Sequence, residues 1–181
     1  GAVFVNNGTV TVINGTTFEN NTAGTRGGAI FAHGTSTVTV DGAVFRNNAA
    51  AESDLNGDDY GGGAIFIGTN ASATVQDSVF EGNRTLTGPG DGGAVMSKGP
   101  LSVTNSTFTR NESAGDGGAI HLESDAPHRV YSSLFFGNTA ADEGGAVNAV
   151  GEDTTIASSA FVGNVSTADG AGAINLGGEA K

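Results

Sequence analysis

Apolar side chains recur at fixed places of a repeating unit along this chain, and polar residues alternate with β-branched ones between them. Val38 and Val40 alternate with Thr37 and Thr39, the two-residue period of a strand. A four-residue signature, Gly27-Gly28-Ala29-Ile30, returns as Gly62-Gly63-Ala64-Ile65, Gly92-Gly93-Ala94-Val95, Gly117-Gly118-Ala119-Ile120 and Gly144-Gly145-Ala146-Val147, with degenerate copies at Gly1-Ala2-Val3 and Ala171-Gly172-Ala173-Ile174. A second signature, Phe-x-x-Asn, interleaves at Phe18/Asn21, Phe45/Asn48, Phe80/Asn83, Phe108/Asn111, Phe135/Asn138 and Phe161/Asn164. Self-similarity at a period of about 27 residues marks a repeat array.

Helices cannot carry this pattern, because each repeat contains Gly-Gly and alternating β-branched residues. Each repeat reads as strand, turn, strand, turn, with two or three short strands. Such a unit cannot bury its own apolar face and must stack on copies of itself. Stacking in parallel and in register, at about 4.8 Å per rung, predicts an all-β parallel β-helix of about six rungs, a single repeat domain over residues 1–181.

Stacking turns every motif position into a column. Phe18, Phe45, Phe80, Phe108, Phe135 and Phe161 are expected to form an internal aromatic stack. Asn21, Asn48, Asn83, Asn111, Asn138 and Asn164 are expected to form an amide ladder where the chain leaves that strand. The Ile30-to-Ile174 column faces the core, and its Gly partners allow a corner conformation that a Cβ would forbid.

Composition narrows the function classes. Thirty-one glycines match an architecture made mostly of turns and short strands, and zero cysteines exclude a disulfide scaffold, a thiolate metal site and a Cys nucleophile. The net charge of −12 and only seven Lys plus Arg argue against nucleic acid as a partner. The apolar runs are a few residues long, far short of the roughly 20 needed for a membrane-spanning helix, so direct membrane insertion is not expected.

The two signatures together, alternating over essentially the whole Gly-rich, Cys-free chain, resemble the repeats of the chlamydial polymorphic outer-membrane proteins and related bacterial and algal surface proteins. The resemblance implies a right-handed β-helix displayed outside the cell or at its surface, with roles in adhesion and self-association.

Spacing locates the variable corner. From the second motif Gly to the following Phe the distance is 17 residues in three repeats, then 16 and 15 in two others, whereas from the motif Asn to the next such Gly it runs 7, 15, 10 and 7. One corner takes the insertions, and such a corner often carries binding. The longest insertion contains Asp54, Asn56 and Asp58, spaced as the first half of a calcium loop. It lacks the downstream Glu, so calcium would need ligands from neighbouring rungs, where Asp91, Asp116 and Glu143 share one motif position with Asp169 close by. A solvated acidic edge is the plainer reading of those carboxylates. No other cofactor is called for.

Parallel β-helices also host pectate-lyase-like and glycosidase chemistry, which needs clustered carboxylates or calcium with a basic residue. Here Arg26, Arg46, Arg84, Arg110, Arg129, Lys98 and Lys181 are scattered, and His33, His121 and His128 fall at unrelated phases and read as surface or edge residues. Without Trp, Tyr60 and Tyr131 are the only Tyr available to stack on sugars. Ice binding would want Thr-x-Thr in every rung. Thr9/Thr11 and Thr37/Thr39 supply it, and the third rung, read as Ala73-Thr74-Val75, ends it. Of eight Asn-x-Ser/Thr sequons, Asn7, Asn14, Asn70 and Asn105 are the candidate glycosylation sites, because ladder asparagines should be inaccessible.

Two surfaces are expected to matter. The residue after the motif Ile is Phe4, Phe31, Phe66 and Met96 in the first rungs, an outward apolar stripe that would suit a partner. The chain starts and stops inside motifs, which predicts open terminal rungs that self-associate head to tail. The leading expectation is therefore a non-enzymatic extracellular structural or adhesive module whose partners are copies of itself or a host or cell-surface receptor. The alternative is a polysaccharide-active, pectate-lyase-like enzyme.

Overall fold

The computed structural model describes residues 1–51, 60–88, 90–151, 153–168 and 170–177. Its strands form four parallel sheets that wind as one solenoid, so each coil contributes four short strands where the sequence suggested two or three. The first sheet contains Val3–Asn6, Ile30–His33, Ile65–Ile67, Val95–Ser97, Ile120–Glu123, Val147–Val150 and Ile174–Gly177. The second contains Thr9–Val12, Thr37–Asp41, Ser72–Gln76, Leu101–Thr104, His128–Tyr131 and Thr154–Ala157. The third runs from Thr17–Glu19 to Ala160–Val162, and the fourth, of two-residue strands, from Thr22–Ala23 to Val165–Ser166. A strand pairs with its equivalent one coil later, as in Val3 with Ile30 and Phe80 with Phe108.

The motif columns hold the coils in register. Along the Phe column, Phe45, Phe80, Phe108, Phe135 and Phe161 stack at 4.7–4.9 Å with rings within 5° of parallel. Each ring packs on the next coil at the strand spacing itself, so face-to-face stacking is imposed by the backbone repeat. The middle four of the column are fully buried, and Phe18 and Phe161 are partly so. Beside them, Asn21 Nδ2 donates to Asn48 Oδ1, and the same bond repeats through Asn83, Asn111, Asn138 and Asn164 at 2.9–3.0 Å across steps of 27, 35, 28, 27 and 26 residues. From Asn48 onward each Oδ1 also accepts the backbone N–H of the Asn before it, and each Nδ2 also donates to a Phe carbonyl one coil back. Both amide hydrogens and both oxygen lone pairs of the inner asparagines are therefore used, which removes the cost of burying them.

A third column escaped the sequence reading. Ser78, Ser106, Ser133 and Ser159 each stand two residues before a motif Phe. Their hydroxyls bond the carbonyl two residues back, at 2.6–3.0 Å. They also accept a backbone N–H from the coil before, at 3.1–3.2 Å. The signal was present as Ser-x-Phe.

The two glycines of the repeated signature are needed for different reasons. The first has φ near +60° in each full copy, from Gly27 at 58° to Gly144 at 62°. The second has no positive φ but no room, because a Cβ on Gly118 would lie 2.2 Å from the carbonyl oxygen of Gly145 and 2.6 Å from Thr139.

Candidate functional site

The corner that carries the Gly-Gly signature and the outward side of the first sheet meet along the length of the solenoid. Two residues before the second Gly, the corner column reads Arg26, Gly61, Asp91, Asp116 and Glu143. Next to it runs the column that follows the motif Ile: Phe4, Phe31, Phe66, Met96, His121, Asn148 and Asn175. The chemistry of both columns changes near Met96.

In the first coils the face is aromatic. Phe4 and Phe31 lie 5.1 Å apart, and Phe31 meets Phe66 edge-on at 5.4 Å. The Arg26 guanidinium sits 5.5 Å from the Phe66 ring, 5.7 Å from Tyr60 and 6.0 Å from Phe31. This arrangement corrects the expected exposed stripe. Phe4 is exposed, but Phe31 is half-buried and Phe66 and Met96 are buried, because the corner column packs over the outward face. Arg26, Phe31, His33, Phe66, Gly68 and Lys98 line a cleft of about 290 Å³.

In the later coils the face is polar and its hydrogen bonds have a direction. Glu143 Oε2 accepts from Asn175 Nδ2 at 2.6 Å, which also donates to Asn148 Oδ1 at 2.9 Å. Asn148 Nδ2 therefore faces His121 Nδ1, at 3.3 Å. A carboxylate can only accept, so it orients both amides and makes Nδ1 the acceptor. The His121 proton then sits on Nε2, 3.9 Å from Asp91 Oδ2. Asp91 Oδ1 in turn accepts the backbone N–H of Asp116 at 2.7 Å, and Asp116 Oδ1 that of Glu143 at 2.8 Å. The acidic residues stack because each carboxylate binds an amide of the coil after it.

Burial pushes Asp91 up to about 7, against the pull of the Asp116 amide and helped by the charges of Asp116, Glu123 and Asp142. Burial and the Lys98 charge push His121 down to about 4. Between these values both side chains are neutral, so the contact is a neutral pair despite its acid and base partners. Lys98 Nζ lies 3.4 Å from Glu123. Single oxygens of Asp91 and Asp116 and a ring nitrogen of His121 lie within 4.8 Å of one another.

His33 is exposed as expected, whereas His121 and His128 are buried, which corrects the reading of all three as surface or edge residues. His121 lies under the corner column. His128 occupies the inward column of the second sheet in register with Leu101, its Nε2 3.1 Å from Ser124 Oγ. Burial lowers its pKa.

The insertion residues Asp54, Asn56 and Asp58, and Asp169, lie outside the described residues. Asn7, Asn14, Asn70 and Asn105 are all exposed, while Asn83 and Asn111 are buried. Asn7 Oδ1 accepts from the Thr35 amide and Asn105 Nδ2 donates to Asp77. On the second sheet, Ser72 pairs with Thr37 and Thr74 with Thr39. The double hydroxyl rank thus continues through the third coil and ends at the fourth, where Ser102 aligns with Thr74 and Pro100 precedes Leu101. Sheet register, which the linear comparison of triplets misjudged by one residue, accounts for the difference.

A family model described as right handed beta helix region matches residues 1–179. No curated protein and no solved structure matches the chain.

Proposed function

The chain belongs to the right handed beta helix family, and we propose from that premise that it is a non-catalytic structural and adhesive module, displayed outside the cell or at its surface. The observation that carries this reading is where the polar side chains go. The Asn and Ser columns are bonded to the solenoid's own backbone. On the third sheet, Arg46 lies 3.2 Å from Glu81, and Arg110 pairs with Glu81 from the other side. Side chains spent in this way make a stiff rod whose surface is repetitive, which suits contact over an extended area with a cell-surface receptor or with further copies of the chain. The resemblance to chlamydial surface-protein repeats supports the same role.

A second reading, a polysaccharide-active enzyme, is favoured by one feature: the convergence of Asp91, Asp116 and His121 beside Lys98. One experiment separates the two. The purified chain is incubated with neutral and uronate polysaccharides while reducing ends and unsaturated products are followed, and its binding to immobilised cells is measured in parallel. Saturable cell binding without product supports the module. Product formation abolished by Asp91→Asn and Asp116→Asn overturns it.

A further inference from the structure

The polar half of the corner face contains more than stacked carboxylates. The His121 side chain is 96% buried, its relative exposure being 4%, and its ring is aimed at Asp91 and Asp116. Among the described residues its Nε2 has no hydrogen-bond partner, since the nearest acceptor, Asp91 Oδ2, stands at 3.9 Å, beyond hydrogen-bond range. The ring N–H of this buried side chain stops short of the carboxylates, which leaves a gap lined by one ring nitrogen and two carboxylate oxygens.

We propose that Asp91, Asp116 and His121 bind a first-row divalent cation of the zinc type. A tetrahedral ion holds its donors about 2.0–2.2 Å away and hence roughly 3.5 Å from one another. Here the three donors already lie within 4.8 Å, so side-chain rotations of about an ångström close the site on those bond lengths. The donor set selects the metal: imidazole nitrogen suits zinc and its neighbours, whereas calcium takes oxygen. The ion also relieves the juxtaposition of Asp91 and Asp116. Lys98, the cation that acts on His121, is engaged by Glu123.

Binding has a stated proton balance. The neutral ring changes tautomer: water takes the Nε2 proton and returns one to Nδ1, the freed Nε2 lone pair goes to the metal, and Asp91, protonated below about 7, releases its proton to water. The imidazole then carries its proton on Nδ1, and the Asn148 amide turns so that Oδ1 accepts it, giving up the bond it takes from Asn175 Nδ2, which stays on Glu143. Asn148 thus becomes the outer partner that a metal-bound histidine requires.

The test is a cobalt(II) titration of the full chain after dialysis against chelator, read by visible absorption, with zinc and calcium as competitors. One saturable equivalent is expected, displaced by zinc and not by equal calcium. His121→Asn should abolish it, and that variant should fold, because it extends the Asn148 and Asn175 column by one coil. Circular dichroism checks the fold. Asp91→Asn should weaken binding at least about tenfold, and Asn148→Asp should tighten it by about tenfold, as a carboxylate partner strengthens a ligating imidazole. No saturable cobalt binding, binding unchanged in His121→Asn, or displacement by calcium as readily as by zinc would each overturn the proposal.

Discussion

The two halves of the corner face occupy the same backbone positions and have opposite chemistry. In the early coils, Phe31 and Phe66 sit under Arg26. In the later ones, His121 faces Asp91, and Asn175 is bonded to Glu143. The corner column and the sheet column change together: a cation covers π faces, and carboxylates cover hydrogen-bond donors. The solenoid backbone therefore specifies which positions touch but not what they say, and a partner's identity is set by its neighbour across the corner.

The largest effect breaks the comparison altogether, because both halves hang from one glycine corner. Gly118→Ala places a Cβ 2.2 Å from the Gly145 carbonyl oxygen, between stacked backbones that cannot part. We expect a loss of about 4 kcal/mol or more, or failure to fold, by thermal denaturation. Gly163→Ala is the control: its φ is 62° but nothing lies within 4 Å of the added Cβ, so about 1–2 kcal/mol is expected.

Exchanging the chemistry of one position comes next. Phe66→Asn puts an amide among Phe31, Arg26 and Tyr60, in place of a ring packed in this aromatic cluster. The expected loss is about 3–5 kcal/mol, as for other buried Phe truncations. A loss under about 1 kcal/mol would show that the aromatic half is not held by packing.

The pH profile sharpens the contrast from the polar side. At pH 5 the unfolded chain has Asp91 ionised and His121 protonated, whereas in the folded chain both are neutral. The two states bind the same number of protons, so this pair adds no slope between about 4 and 6.5. Asp91→Asn leaves His121 alone with its lowered pKa. The unfolded state then binds the extra proton, and stability should rise as pH increases from about 4 to 6.5, by about 3 kcal/mol in all. His121→Asn leaves Asp91 with its raised pKa, so stability should fall as pH rises from 3.8 to about 7. Urea denaturation at several pH values measures both, and slopes of the same sign in the two variants would contradict the neutral pair.

The smallest effect belongs to the aromatic side. Arg26→Gln removes the guanidinium from three rings and should cost about 1 kcal/mol by thermal denaturation.

Much of the architecture was readable because repetition amplifies weak signals. One Phe-x-x-Asn says little, but six copies in phase define a stack and a ladder whose bonds are found at each step. The Ser column was equally periodic and was missed because serine is common and carries no hydrophobic signal. The site was less readable. Asp91, Asp116 and Glu143 share one position of the repeat and His121 shares another with Asn148 and Asn175, but no spacing in the chain shows that these two columns meet and bury the imidazole.

The period, the parallel stacking and the inward Phe and Asn columns follow from sequence alone, because each rests on residues one repeat apart, a spacing the chain itself records. Tertiary structure decided the rest. How far the corner folds over the outward face determines that Phe66, Met96 and His121 are buried. That depends on contacts between two columns on adjacent walls of the coil, whose approach is set by turn geometry and not by any periodicity in the chain.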